Sequence, residues 1–176
     1  PLSLSFHDLE SHGLIRDEQR LLQSVQKQLA VLAKARDRIQ LAQEELASLE
    51  KWVDLTMTPD QLKRFRYVHG LIGTIPNSEQ DQARQALLAH PDVEVDVVFS
   101  SETEHGVVVL YKSGDLADLQ DTLTSSHFKE FDYQGETLPK ERLEQLKREI
   151  KEQGAVEAAT LERLSQAKEN LNQLKY

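Results

Sequence analysis

The feature that most constrains the fold is a column of aliphatic residues at every seventh position in the first third of the chain. Its members are Val25, Leu32, Ile39, Leu46 and Val53, and no glycine or proline interrupts residues 17–53. This spacing is typical of a helix that packs lengthwise against another helix. We therefore assign residues 17–53 to a first arm helix and treat residues 1–16 as a lead-in.

A second aliphatic column accompanies the first but changes its position along the helix. It begins at Leu22 and Leu29, and then Ala35, Ala42 and Leu49 take over one position earlier. Such a shift is expected of a straight helix that is not wound into a strict supercoil. The sequence thus predicts a seam that rotates around the first arm.

Residues 138–176 predict a return arm helix, with Pro139 in its first turn. Its aliphatic positions form two groups, one before and one after Gly154, where a glycine costs about 1 kcal/mol relative to alanine. We expect a bend or slack point near Gly154. Neither arm can bury its aliphatic stripe alone, so we also expect the two arms to pack as an antiparallel pair. The alternative is two helices packed directly onto the intervening lobe. The two groups are Leu143, Leu146 and Ile150, then Leu161, Leu164, Ala167, Leu171 and Leu174.

Residues 54–137 alternate between strand-like and helix-like segments. A capping box at Thr58 predicts a short helix that precedes the first strand. The order that follows is βαββαβ, a ferredoxin-like arrangement. The predicted fold class is therefore α+β, a ferredoxin-like βαββαβ lobe inserted at the tip of a long antiparallel two-helix coiled coil. The predicted strands cover residues 67–75, 93–99, 105–112 and 128–133, and the predicted helices cover residues 76–89 and 115–125.

A histidine–glycine pair opens each half of this lobe. His69 and Gly70 are 36 residues before His105 and Gly106, at equivalent places in a split repeat. A catalytic base is not normally duplicated in this way, whereas a strand entry in a repeated unit is. We interpret these histidines as structural.

The net charge of −9 lies entirely in the lobe. Each arm is nearly balanced, while residues 54–137 hold six basic and fifteen acidic side chains. An acidic lobe repels a phosphate backbone and attracts a basic protein surface, so nucleic acid is not an expected partner. The candidate partner-binding residues are Glu94, Asp96, Glu102 and Glu104.

Most catalytic chemistry lacks its sequence signals. The chain has no cysteine, no glycine-rich phosphate loop and no nucleophile elbow. Glu102, Glu104 and His105 are possible metal ligands by type, but a solvated hairpin tip explains them more simply. No apolar run is long enough to cross a bilayer, and a chain that starts at Pro1 without a signal-like stretch is expected to be a mature or excised piece. We predict no enzyme activity, no catalytic residue, no cofactor and no metal.

The segment KRFRYVHGLIGTIPNSEQ, followed by DVEVDVVFSS, HGVVVLYKS and LEQLKREI, resembles the amino-terminal cytoplasmic region of subunit I of rotary V/A-type ATPases. The resemblance covers residues 17–175 and corresponds to the distal lobe of that arm. It implies a non-catalytic stator part at the cytoplasmic face of the membrane, in a complex that moves protons or sodium ions. The implied partners are the peripheral stalk subunits E and G and other stator subunits, without direct membrane contact by this fragment.

Two other functions remain open from the sequence. The lobe has the form of a regulatory module that binds a small ligand, which predicts thermal stabilisation by a metabolite. The arms have the form of an adaptor that dimerises, which predicts a concentration-dependent mass. The intramolecular hairpin that we favour predicts a monomer.

Overall fold

The computed structural model describes residues 6–112 and 114–174, with side-chain exposure from residue 12 onward. Residues 1–5 of the predicted lead-in lie outside the described residues, and the first helix already begins at Phe6. A short 3₁₀ turn, Glu50–Trp52, follows that helix, and another, Asn77–Glu79, follows the first strand. The elements are α1 Phe6–Leu49, α2 Pro59–Leu62, β1 Val68–Pro76, α3 Gln80–Leu88, β2 Glu94–Ser100, β3 Glu104–Lys112, α4 Leu116–Ser125, β4 Lys129–Glu130 and α5 Pro139–Leu174.

The chain divides into two compact units. One comprises residues up to Glu45 and from Leu146 onward, and the other is Leu46–Gln145. The first unit contains only parts of α1 and α5, which an ion pair joins, with 3.8 Å between Arg36 Nε and Glu157 Oε2.

The buried seam of α1 follows a strict heptad pattern, so the predicted rotation is wrong. Leu22 and Leu29 are 45% and 50% exposed, whereas Leu21 and Gln28, one position earlier, are half-buried. The column through Val25 is confirmed as far as Leu46, but Val53 lies beyond the helix end. An average spacing of 3.5 residues places these positions on one face of α1 from Leu21 to Leu49. The seam positions are Leu21, Val25, Gln28, Leu32, Ala35, Ile39, Ala42, Leu46 and Leu49.

The seam of α5 continues where the sequence predicts a lapse. The helix runs without interruption through Gly154, and Gln153, Glu157 and Thr160 occupy the seam there. Thr160 is fully buried, and its hydroxyl donates a 2.7 Å hydrogen bond to the Val156 carbonyl. This local bond satisfies the hydroxyl inside its own helix. The seam of α5 is therefore continuous because polar side chains occupy the positions between its two aliphatic groups.

The second unit is a four-stranded antiparallel sheet in the order β2-β3-β1-β4, so the predicted ferredoxin-like arrangement is confirmed. The long β1–β3 ladder extends from Val68 opposite Lys112 to Pro76 opposite Glu104. β4 is much shorter than predicted, with only two paired residues. The backbone N–H of Phe131 continues that pairing with a 2.7 Å bond to the Ile72 carbonyl.

One face of the sheet packs on α3 and α4. Val107 and Val109 of β3 are buried there against Leu87 of α3 and Leu119 of α4, and Leu87, Val109 and Leu119 are fully buried. Alternate residues of a strand point to opposite faces, which places the odd-numbered residues of β1 and β3 on this side. These buried side chains, which lie between the sheet and the two helices, form the core of the ferredoxin-like lobe.

The other face of the sheet is covered as well. Trp52 is 1% exposed and packs with Leu55, Leu62 and Ile72 in a second buried cluster. The Trp52 ring stacks on Phe131, with 4.4 Å between ring centroids. The segment between α1 and β1 therefore closes this face, because burial against the sheet removes its apolar side chains from water.

The predicted capping box holds this covering segment in place. The N–H of Gln61 donates a 3.2 Å bond to the Thr58 hydroxyl, and the N–H of Thr58 donates a 3.0 Å bond to the Gln61 side chain. The Thr58 side chain is fully buried. This reciprocal pair fixes the start of α2, so that Leu62 points onto the sheet.

The described part of the chain contains no helix that combines the length and the apolar character needed to cross a bilayer.

Candidate partner-binding surface

A groove of about 290 Å³ lies at the β2 edge of the sheet, on the face that the Trp52 segment covers. Its walls come from the covering segment on one side and from β2 and β3 on the other. Most of the lining is aliphatic, and two carboxylates, Asp54 and Asp96, belong to it. The lining residues are Asp54, Leu55, Thr56, Met57, Leu62, Asp96, Val97, Val98, Val108 and Leu110.

Two of the four predicted partner-binding residues lie on β2. Glu94 is opposite Leu110 and Asp96 is opposite Val108 in the β2–β3 ladder, and both carboxylates are exposed. Because they are two residues apart, they share one face of the strand. β2 is an edge strand, so its outer side carries no strand among the described residues.

The other two predicted residues lie in and after the β2–β3 turn. Glu102 is exposed in that turn, while Glu104 begins β3 and is half-buried. Glu104 accepts a 2.7 Å hydrogen bond from Lys51 Nζ. The structure thus brings Glu94 and Asp96 together, and it engages Glu104 in an ion pair inside the lobe.

Several lysine and arginine side chains of the lobe form ion pairs with carboxylates of the same lobe. Lys112 contacts Asp92 at 2.7 Å, and that hydrogen bond raises the pKa of Lys112 above its ordinary value. Arg64 pairs with Glu136. By contrast, the described residues supply no ion pair to Asp54, Glu94 or Asp96. The unneutralised part of the acidic surface therefore includes the β2 edge.

The covering segment belongs to the groove although no sequence pattern predicted it there. The sequence predicts a strand β2 with strict alternation of side chains, whereas the structure has a register shift between Val97 and Phe99. The run Val97-Val98-Phe99 breaks the alternation of polar and apolar residues, which is the signal for this bulge. The bulge places both Val98 and Phe99 on the second face, while Val97 stays opposite Val107 on the face that packs on α3 and α4.

The glycines of the two histidine–glycine pairs have a packing role. A Cβ at Gly70 would lie 2.6 Å from a methyl group of Leu62, and one at Gly106 would overlap the Phe99 ring. Each glycine thus admits a side chain that closes the second face. His69 lies beside Tyr111, with 6.0 Å between ring centroids, and no three acidic or histidine side chains group as metal ligands among the described residues.

No protein-family model and no curated protein matches this chain. A search of solved structures finds the crystal structure of the cytoplasmic N-terminal domain of subunit I, the homologue of subunit a, of V-ATPase, with a TM-score of 0.51 and 15% identity. This chain has the fold of that subunit I domain. The resemblance seen in the sequence is therefore confirmed at the level of the fold.

The match to the subunit I domain covers 99% of this chain and 57% of the solved chain. The chain therefore spans a little over half the length of the protein to which it is similar. Both the lobe and the long helices belong to the matched region, since almost no residue falls outside it.

Proposed function

We propose that this chain is a non-catalytic stator part of a rotary V/A-type ATPase. In this role it forms part of the cytoplasmic arm of subunit I, docks the peripheral stalk subunits E and G, and resists rotor torque during proton or sodium transport. The observation that carries the proposal is the fold match to the subunit I domain over nearly the whole chain.

The chemistry of the described residues supports a mechanical role. The seam positions of α1 and α5 follow an unbroken heptad pattern, which is typical of helices that stiffen one another along their length. The edge strand β2 carries two acidic side chains, Glu94 and Asp96, to which the described residues supply no ion pair, and acidic surfaces attract basic protein partners. A cytoplasmic location follows from the same proposal.

The regulatory alternative has less support from the described residues. A ferredoxin-like module that binds a metabolite needs a concave site, and small-molecule sites usually enclose about 300–1,000 Å³. The groove at β2 is at the lower limit of this range, with about 290 Å³, while two further recesses of the lobe reach about 450 Å³. The second sheet face, which is another common location for a ligand, is filled by Trp52 and its neighbours.

The stator proposal is tested by calorimetric titration of this chain with the purified E–G heterodimer at low and high salt. We expect micromolar or tighter binding that weakens as salt screens the acidic lobe. Absence of binding at high micromolar concentrations would contradict docking by this chain. Stabilisation by a small metabolite instead of E–G would favour the regulatory alternative.

A further inference from the structure

We propose that the groove at the β2 edge binds a partner-protein segment that presents one aliphatic side chain beside a lysine or arginine. This inference rests on the proposed function, and it names the chemistry by which the partner is recognised. It is argued from the combination of an aliphatic floor with two carboxylates to which the described residues supply no ion pair.

The floor of the groove selects an aliphatic group. Leu55 and Leu62 are buried below it, while Val108 and Leu110 of β3 are half-buried beside it. Val98 of β2 is also half-buried on this face, so the groove keeps aliphatic surface in contact with water. An entering aliphatic side chain would remove this surface from water, at about 25 cal/mol for each Å² buried.

The lining carboxylates select a cation. Asp54 belongs to the covering segment and Asp96 to β2, so the groove has one carboxylate on each wall. Within the described residues neither has a cationic partner, whereas Lys51, Arg64 and Lys112 are each engaged with another carboxylate. The complementary charge must therefore come from the partner, and charge-assisted hydrogen bonds to carboxylates are the strong kind.

The size of the groove favours an anchoring side chain over a whole metabolite. A volume of about 290 Å³ is at the lower limit of small-molecule sites. Interfaces commonly place one or two anchoring side chains in such a recess and surround them with polar contacts. The adjacent acidic Glu94 extends the polar surround along the same face of β2.

The first test compares two double variants in the titration with the E–G heterodimer. Asp54→Asn with Asp96→Asn removes the two groove charges, and Asp118→Asn with Asp121→Asn removes two exposed charges from α4, which packs on the other sheet face. We expect the groove variant to bind about tenfold more weakly and to lose much of its salt dependence. The α4 variant is expected to bind like the wild type.

The outcomes separate this inference from the stator proposal. If E–G binds the wild type and the groove variant equally well, the groove proposal is wrong while the stator proposal stands. If E–G does not bind the wild type, the stator proposal fails, and the groove is then judged by a second probe. Circular dichroism of each variant checks that the asparagine substitutions, which keep the side-chain shape, leave the fold intact.

The second probe is the dipeptide N-acetyl-Leu-Lys-amide. Its binding to the full chain is measured by ¹⁵N NMR. We expect the chemical shifts of the backbone amides of residues 54–57 and 96–98 to change saturably with dipeptide concentration. N-acetyl-Leu-Glu-amide should cause no such change in these residues. Loss of these shifts in the Asp54→Asn and Asp96→Asn double variant would support the assignment. Equal shifts with both dipeptides, or no shift at millimolar concentrations, would overturn it.

Discussion

The Phe99 ring occupies the space in which a side chain at Gly106 would begin. All three atoms nearest to the position of that missing Cβ belong to Phe99 and lie within 3.0 Å of it. Phe99 in turn meets Trp52 edge-on, with 4.8 Å between ring centroids. Gly106 is thus required by the packing of the second sheet face, and the histidine beside it needs no catalytic role to explain the motif.

We expect Gly106→Ala to lower the free energy of unfolding by about 1–3 kcal/mol, because the added methyl group overpacks a closed cluster. The matched control is Gly154→Ala, since a Cβ there meets nothing within 4 Å. The control is expected to stabilise the protein by about 0.5–1 kcal/mol through helix propensity. Urea denaturation followed by circular dichroism measures both.

The source of the Gly106 effect is tested by a double variant. Phe99→Leu removes the ring that blocks residue 106, so it should reduce the cost of Gly106→Ala when the two are combined. A cost that is unchanged in the double variant would show that the strain arises elsewhere in the strand.

The heptad seam of α1 predicts opposite outcomes for two neighbouring leucines. Leu32 is 7% exposed and Leu29 is 50% exposed. Leu32→Ala should therefore cost about 2–5 kcal/mol, as is typical of a buried leucine, whereas Leu29→Ala should stay within about 0.5 kcal/mol of the wild type. Equal costs in thermal and urea denaturation would contradict the strict seam.

Gln28 is a polar residue in the aliphatic seam. Its side-chain oxygen is buried and has no hydrogen-bond partner among the described residues. Gln28→Leu should stabilise the protein by about 1–3 kcal/mol, because it removes an unsatisfied buried acceptor. Gln26→Leu, at an exposed position of the same helix, should change stability by less than about 0.5 kcal/mol, and a gain as large as that of Gln28→Leu would refute this explanation.

His127 ends α4 in the left-handed region, with φ of 55°. The N–H of His127 bonds to the Thr124 carbonyl and that of Phe128 to the Leu123 carbonyl, which is the Schellman pattern that favours glycine. His127→Gly should therefore raise the free energy of unfolding by about 1 kcal/mol. Ser125→Gly, inside α4, should lower it by about the same amount, and a loss of stability in both variants would contradict the argument.

The elements could be predicted from local patterns because each has a periodic signal. The Thr58 capping box, the alternation in β2 and the unbroken aliphatic run in β3 depend on neighbours within a few residues. The ends of elements were harder to place: β4 pairs over only two residues, although residues 128–133 have the composition of a strand. The length of β4 depends on how many residues of β1 pair with it through backbone hydrogen bonds, and the sequence alone does not show this.

The sequence by itself determined the order of helices and strands, the two long arm helices and the concentration of negative charge in the lobe, since periodicity and charge are local properties. Only the tertiary structure decided which leucines of α1 enter the seam, that Trp52 closes the second sheet face, and that Asp54 joins Asp96 in one groove. Those facts depend on side chains that are distant along the chain, so they arise only when helices and sheet pack against one another.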